Sequence, residues 1–249
     1  MFKEYFLIYL LAHMLGDFYF QNDRLAVLKN NKISKLFLHM GIYLLAYIVV
    51  IVPIFSSKMF ISIIVVASIH ALIDLGKCCF IKHNTERKGS ARTIYIVDQA
   101  IHIASLVLVA YYMTVNNVPI YLLNIFDKFL NVLGVGEIEM LSALCMVLFV
   151  LKPTNITIKQ LLSKYKPEEC IMFTKKDDRN TGEFIGILER LIIYILLLMN
   201  QISAIGLVLT AKSVARYNKI SEDKDFAEYY LLGTLLSTML VVVMFKLIY

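Results

Sequence analysis

Long apolar runs, each broken by one or two ionisable residues, set the pattern of this chain. The first run begins near Tyr5 and is interrupted by His13, Asp17 and Gln21, spaced i, i+4, i+8, which on one α-helix share a face. Three similar interruptions come later: His39, then His70 with Asp74 and Lys77, then Asp98 and Gln99 with His102. The runs predict helices over Glu4–Phe20, Leu36–Phe55, Met59–Ile81 and Thr93–Val115. Pro53 closes the second, and Asn116 and Asn117 before Pro119 close the fourth. Ile120–Val135 is apolar but short and carries Asp127 and Lys128, which predicts an interfacial or re-entrant segment. Glu137–Leu151 is a candidate short span, Lys152–Glu183 a hydrophilic cytoplasmic loop with some local helix, and Phe184–Met199, Ser203–Tyr217 and Tyr229–Ile248 are further helices.

Composition agrees with this pattern. Of 249 residues, 59% are hydrophobic and 18% charged, with mean hydropathy +0.70, too apolar for a soluble domain of that length. The expectation is an all-α polytopic membrane protein with about 7–8 transmembrane helices, since barrel strands would be short and strictly alternating. The chain divides into three regions: residues 1–116 as a four-helix polar-site bundle, 117–183 as interfacial segment, short span and loop, and 184–249 as a three-helix unit.

The net charge of +6 is read through topology, and no nucleic-acid partner is expected. Basic residues cluster after the first and third helices, before Phe184, and after Ser203–Tyr217, while the intervening connections carry almost none. Basic loops stay cytoplasmic, so the expectation is a multi-pass protein of the inner membrane with both termini outside. His13 and Asp17 interrupt the first run and no small-residue cleavage site comes after it, so no cleaved signal is expected. Cys78, Cys79, Cys145 and Cys170 form no disulfide framework or paired zinc spacing and read as reduced thiols.

Topology gives the polar residues of the first four helices one common depth, in the cytoplasmic half of the bilayer. Three of those helices carry a His/carboxylate pair at i, i+4: His13/Asp17, His70/Asp74 and Asp98/His102. Imidazole nitrogen with carboxylate oxygen is the ligand set of zinc, iron or manganese, and helical bundles build such sites from inward-facing pairs. The expected cofactor is a divalent transition metal, zinc first. Simple imidazole–carboxylate pairing that holds the bundle together stays open beside it. Asp17, Asp74 and Lys77 are the catalytic candidates, with Gln21 and Gln99 near the substrate; Lys77 would compete with a cation or hold an anion. A second set, Glu189, Arg190, Lys212, Arg216 and Glu228, lies where later helices meet the cytoplasm and suits a phosphate or lipid headgroup.

These motifs, with the carboxy-terminal runs Gly186 to Arg190, Thr210 to Arg216 and Glu228 to Thr234, resemble an uncharacterised family of bacterial integral membrane proteins, domain-of-unknown-function family 3307. The resemblance implies the membrane class and carries no activity with it. Three functions fit the pattern. One is a metal-dependent hydrolase acting on an anionic, phosphate- or ester-bearing lipid or metabolite. Another is an ion- or proton-coupled transporter. The third is a non-catalytic effector or scaffold that docks a cytoplasmic partner through Lys152–Glu183. The expected partners are membrane lipid and an anionic small molecule; oligomeric state is not readable.

Overall fold

Helix α1 (Phe2–Met14) is buried from Leu7 to Met14, and Tyr5 with it. A helix apolar on all sides belongs in an interior, and the other amino-terminal helices wrap it. The computed structural model describes residues 1–30, 32–54, 56–83, 91–165 and 176–249, with backbone alone for Ser57 and residues 176–181. Among these, helices are the regular elements, besides an isolated bridge between Ile54 and Leu122. The chain forms two units, Met1–Cys145 and Met146–Tyr249.

In the first unit, α1 continues into a π-helical turn, Leu15–Tyr19. Next come α2 (Asp23–Leu28), capped by the Asn22 side chain on the Leu25 N–H at 2.7 Å, and α3 (Ile33–Ile51). Helices α4 (Ser57–His83) and α5 (Ala91–Val115) complete the wrapping. Helix α1 packs on α3 and α5, α4 packs on both of these, and α2 lies against α3. Their shared core includes Tyr9, Tyr43, Tyr47, Met59, Leu106 and Ala110. Buried tyrosines need partners for their hydroxyls. Tyr9 donates to Ser62 Oγ at 2.7 Å, Tyr47 to the Tyr9 carbonyl at 3.1 Å, and Tyr5 to the Val118 carbonyl.

Helix α6 (Asn124–Leu133) ends at Gly134, whose φ of +67° closes it in the left-handed region. It meets α7 (Glu137–Leu151) at a bend of 83°. The second unit contains α8 (Pro153–Leu161), α9 (Lys176–Leu198), α10 (Ile202–Ala215), α11 (Tyr217–Glu222) and α12 (Lys224–Ile248).

Among the described residues, four helices are long and apolar enough to cross a membrane, α3, α4, α5 and α12, or five if the bent α6–α7 pair is one span. That is fewer than the 7–8 expected from the apolar runs. The π turn breaks the first run, α9 opens on charged residues, and α10, with 14 residues, falls short of a bilayer core. One further expectation changes: Asp23–Lys35, read as a basic loop, holds a helix. Lys152–Glu183, expected to carry some local helix, begins with α8 and ends inside α9. Residues 84–90 and 166–175, including Cys170, lie outside the described residues. The described cysteines Cys78, Cys79 and Cys145 are free thiols.

A buried histidine, aspartate and lysine cluster as the candidate functional site

The first unit keeps an apolar exterior and buries ionisable side chains beside its apolar core. On α3, α4 and α5 the exposed side chains include Leu45, Val49, Ile61, Leu72 and Leu108, while His39, His70, Asp74, Asp98 and His102 are buried. The π turn carries Asp17 into the same interior, with its side chain 7% exposed. A π turn places more residues in each turn than an α-helix and rotates the residues beyond it. Asp17 therefore lies 4.0 Å from His13 Nε2 but brings Oδ1 to 3.2 Å from His39 Nε2 and 3.4 Å from His70 Nε2. Gln21, expected on the same face, lies past the turn; its Nε2 donates to the Asp17 carbonyl at 3.3 Å.

The structure adds a residue that the sequence pattern passed over. Lys29, just after α2, is 5% exposed and donates from Nζ to Asp74 Oδ2 at 2.9 Å. It lies 3.0 Å from His39 Nε2. An ammonium has only protons to give, so His39 Nε2 carries its lone pair toward this point. Burial works against the Lys29 charge, but Asp17 and Asp74 outweigh it and hold its pKa above the ordinary lysine value. Its contribution to the cluster is present at neutral pH and is lost only as pH rises above that value.

Four donor atoms from α3, α4 and the π turn thus converge: Asp17 Oδ1, His39 Nε2, His70 Nε2 and Asp74 Oδ2. His39 Nε2 lies 3.2 Å from each of Asp17 Oδ1, Asp74 Oδ2 and His70 Nε2. His70 Nε2 lies 3.4 Å from Asp17 Oδ1 and 3.7 Å from Asp74 Oδ2. A tetrahedral ion with zinc-like bonds of about 2.0–2.1 Å sets its ligands about 3.3–3.4 Å apart. Lys29 Nζ lies on the edge between His39 and Asp74.

Tyr43 stacks on His70 with centroids 3.5 Å apart and rings 9° from parallel, and its hydroxyl lies 3.1 Å from His13 Nδ1. Gly16 makes room for this ring, as expected of a glycine at a close helix approach. A Cβ there would meet Tyr43 Cδ2 at 2.7 Å and Tyr43 Cα at 3.4 Å.

On the α4–α5 side, Lys77 donates to Asp98 Oδ2 at 2.7 Å, and Gln99 Nε2 lies 3.5 Å from the same oxygen. His102 Nδ1 lies 2.8 Å from the Asp98 carbonyl oxygen, an acceptor only, so Nδ1 holds the proton and Nε2 the lone pair. Metal-ligating histidines show this arrangement, with the outer nitrogen anchored to an oxygen. His39 Nδ1 and His70 Nδ1 have no hydrogen-bond partner among the described residues.

A groove runs along α4 and α5 beside this cluster. It has a volume of about 450 Å³, and its surface is almost wholly apolar, from side chains including Ile73, Phe80, Val97 and Ile101, with Lys77 and Asp98 also in its lining.

Of the carboxy-terminal candidates, Lys212 and Arg216 meet at Tyr230, while Arg190 is turned inward. Lys212 Nζ pairs with Glu189 Oε2 at 2.5 Å and lies 5.3 Å from the centre of the Tyr230 ring. Exposed Arg216 reaches the same ring at 6.0 Å. Arg190 is buried, and its guanidinium donates to the Val150 carbonyl at 3.1 Å, to Ser237 Oγ at 3.4 Å and to Asn155 Oδ1. Arg190 thus ties the end of α7 to α8 and α12 and is occupied by neutral acceptors. Glu228 is exposed.

No curated protein and no solved structure matches the chain. A family described as "protein of unknown function (DUF3307)" matches residues 5–129, which span the whole His/Asp/Lys cluster and stop short of the carboxy-terminal set. The chain belongs to the DUF3307 family.

Proposed function

We propose that the first unit is a membrane-embedded, metal-dependent hydrolase acting on an anionic, ester- or phosphate-bearing lipid at the cytoplasmic leaflet. The observation that carries this reading is the spacing of Asp17, His39, His70 and Asp74, five of whose mutual separations fall at 3.2–3.7 Å. That set adds His39 to the ligands expected from i, i+4 pairing, and His13 lies beside it, its ligand atom within 4.8 Å of those of Asp17 and His70. A divalent transition metal, zinc first, bound there would supply Lewis acidity, polarising a substrate oxygen and acidifying water. The chain's residues do the rest. His13, beside Asp17, takes up a proton; Lys77 in the groove holds the anionic group; the apolar lining seats the acyl chain. With zinc supplied, a fluorescent phospholipid analogue should be hydrolysed, and Asp74→Asn should abolish turnover. Turnover surviving Asp74→Asn would rule the site out as the active centre.

A second reading, a proton or cation relay, draws on Lys29. Its ammonium occupies the edge of the donor set, and His39 and His70 face each other through Nε2 at 3.2 Å, close enough to share a proton. This reading needs no metal.

The apolar exterior of α3–α5 supports the membrane placement, because exposed apolar faces on helices of this length are stable only in lipid. The basic connections Asp23–Lys35 and Lys82–Arg92 are read as facing the cytoplasm. A Lys82→Cys variant, in a background without other accessible thiols, should react with impermeant maleimide only after the membrane is opened. Labelling in intact cells would reverse the orientation.

A further inference from the structure

We infer that Asp74, Asp98 and His102 form a second cation site, bridged to the first by Asp74 and filled together with a phosphate monoester carried by a lipid. The inference rests on the metal-centre reading above and extends it to a pair of ions and a substrate class.

One ligand atom from each of Asp74, Asp98 and His102 lies within 4.8 Å of the others. All three side chains are buried, at 3%, 7% and 1% exposure. Each also keeps an atom that the protein leaves without a hydrogen-bond partner among the described residues: Asp74 Oδ1, Asp98 Oδ1 and His102 Nε2. Lone pairs buried without partners are costly, and here they belong to three residues drawn together. The other atoms of these groups are engaged elsewhere. Asp74 Oδ2 belongs to the first donor set, Asp98 Oδ2 receives Lys77, and His102 Nδ1 donates to a carbonyl. A carboxylate with one oxygen in each of two sites is the bridging arrangement of two-metal centres, whose ions lie about 3.5–4 Å apart.

Charge decides what accompanies the second ion. The cluster holds the carboxylates of Asp17, Asp74 and Asp98 and the ammoniums of Lys29 and Lys77, a net charge of −1 with neutral imidazoles. One divalent ion brings it to +1 and a second to +3, which a buried site does not tolerate. A phosphate monoester dianion returns the pair to +1, the level of the singly occupied site. The groove beside Lys77 and Asp98 is apolar along the rest of its length and fits an acyl chain, so the phosphate arrives on a lipid. Hydrolysis then balances simply. The oxygen of water bonds to phosphorus as the ester P–O bond breaks, a proton passes from that water to the His13–Asp17 pair, and the leaving oxygen takes up a proton. The products are an alcohol and inorganic phosphate.

The test is electron paramagnetic resonance of the purified full-length protein with Mn2+, first alone, then with inorganic phosphate, then with phosphatidic acid in mixed micelles. The expected result is an isolated-ion spectrum with Mn2+ alone and an exchange-coupled pair when phosphatidic acid is added. Half-saturation by phosphatidic acid should fall at least about tenfold below that by inorganic phosphate, as an acyl contact of modest size would give. His102→Ala should keep the isolated ion and lose the coupled spectrum; if that variant does not fold, the parent's spectra decide alone. Isolated-ion spectra in every arm overturn the second site and leave the first standing. No bound Mn2+ in any arm overturns both. Equal half-saturation by phosphate and phosphatidic acid removes the lipid and assigns the site to a soluble phosphate.

Discussion

Replacing Lys29 with methionine is expected to destabilise the metal-free protein by about 3–5 kcal/mol, the cost of leaving buried charges uncompensated. Asp17 and Asp74 would lose their nearest ammonium, while the Met side chain keeps most of the buried volume. Zinc should reverse this loss. Removing a positive charge from the edge of the donor set removes its repulsion of an incoming cation, worth several kcal/mol in a partly desolvated site. The variant should therefore bind zinc at least about tenfold more tightly than the parent. Thermal unfolding in detergent, with chelator and with zinc, measures both effects. A Lys29→Met protein that is destabilised and gains nothing from zinc would favour the relay over the metal centre.

Gly16→Ala is expected to cost about 3 kcal/mol or more, at the upper end of what overpacking produces. The added methyl would overlap the Tyr43 ring at 2.7 Å, and that ring is wedged against His70 and 1% exposed. Because Tyr43 orders His70, the same change should weaken metal retention. The double variant Gly16→Ala, Tyr43→Leu should recover part of the stability, since the two substitutions share one contact. An unchanged unfolding midpoint for Gly16→Ala would mean that the helices do not approach as closely as described.

The helical class and the polar positions were legible because an ionisable residue in an apolar run has few reasons to be there, and its neighbour at i+4 shares its face. His70 with Asp74 obeys that rule, with Nε2 and Oδ2 3.7 Å apart. Asp98 and His102 obey it at the same 3.7 Å, between Oδ1 and Nδ1, while His102 also binds the Asp98 carbonyl and Asp98 Oδ2 receives Lys77. Asp17 departs furthest, because the π turn that redirects it toward His39 and His70 leaves no mark in an apolar sequence. The pairing of His39 with Tyr43 and Tyr47, at i+4 and i+8, offered a second polar stripe that could have placed His39 among the ligands. Lys29 offered no such signal. It stands among Asp23, Arg24, Lys32 and Lys35 in a segment that reads as a basic loop, and only the packing of α2 on α3 turns it inward. In the carboxy-terminal half, Lys212 pairs with Glu189 and shares the Tyr230 ring with Arg216, while Arg190 turns inward to Val150, Asn155 and Ser237, a burial that its place near a helix end did not reveal.

The central claim is that Asp17, His39, His70 and Asp74 hold a transition metal. Elemental analysis of the protein purified without chelators, alongside Asp17→Asn and His39→Ala, tests it most directly. The metal centre predicts at least one transition-metal ion per parent chain, with Asp17→Asn and His39→Ala losing it and regaining it poorly in excess metal. A parent protein that is folded, active and free of metal would contradict the claim and leave the Lys29-centred relay in its place.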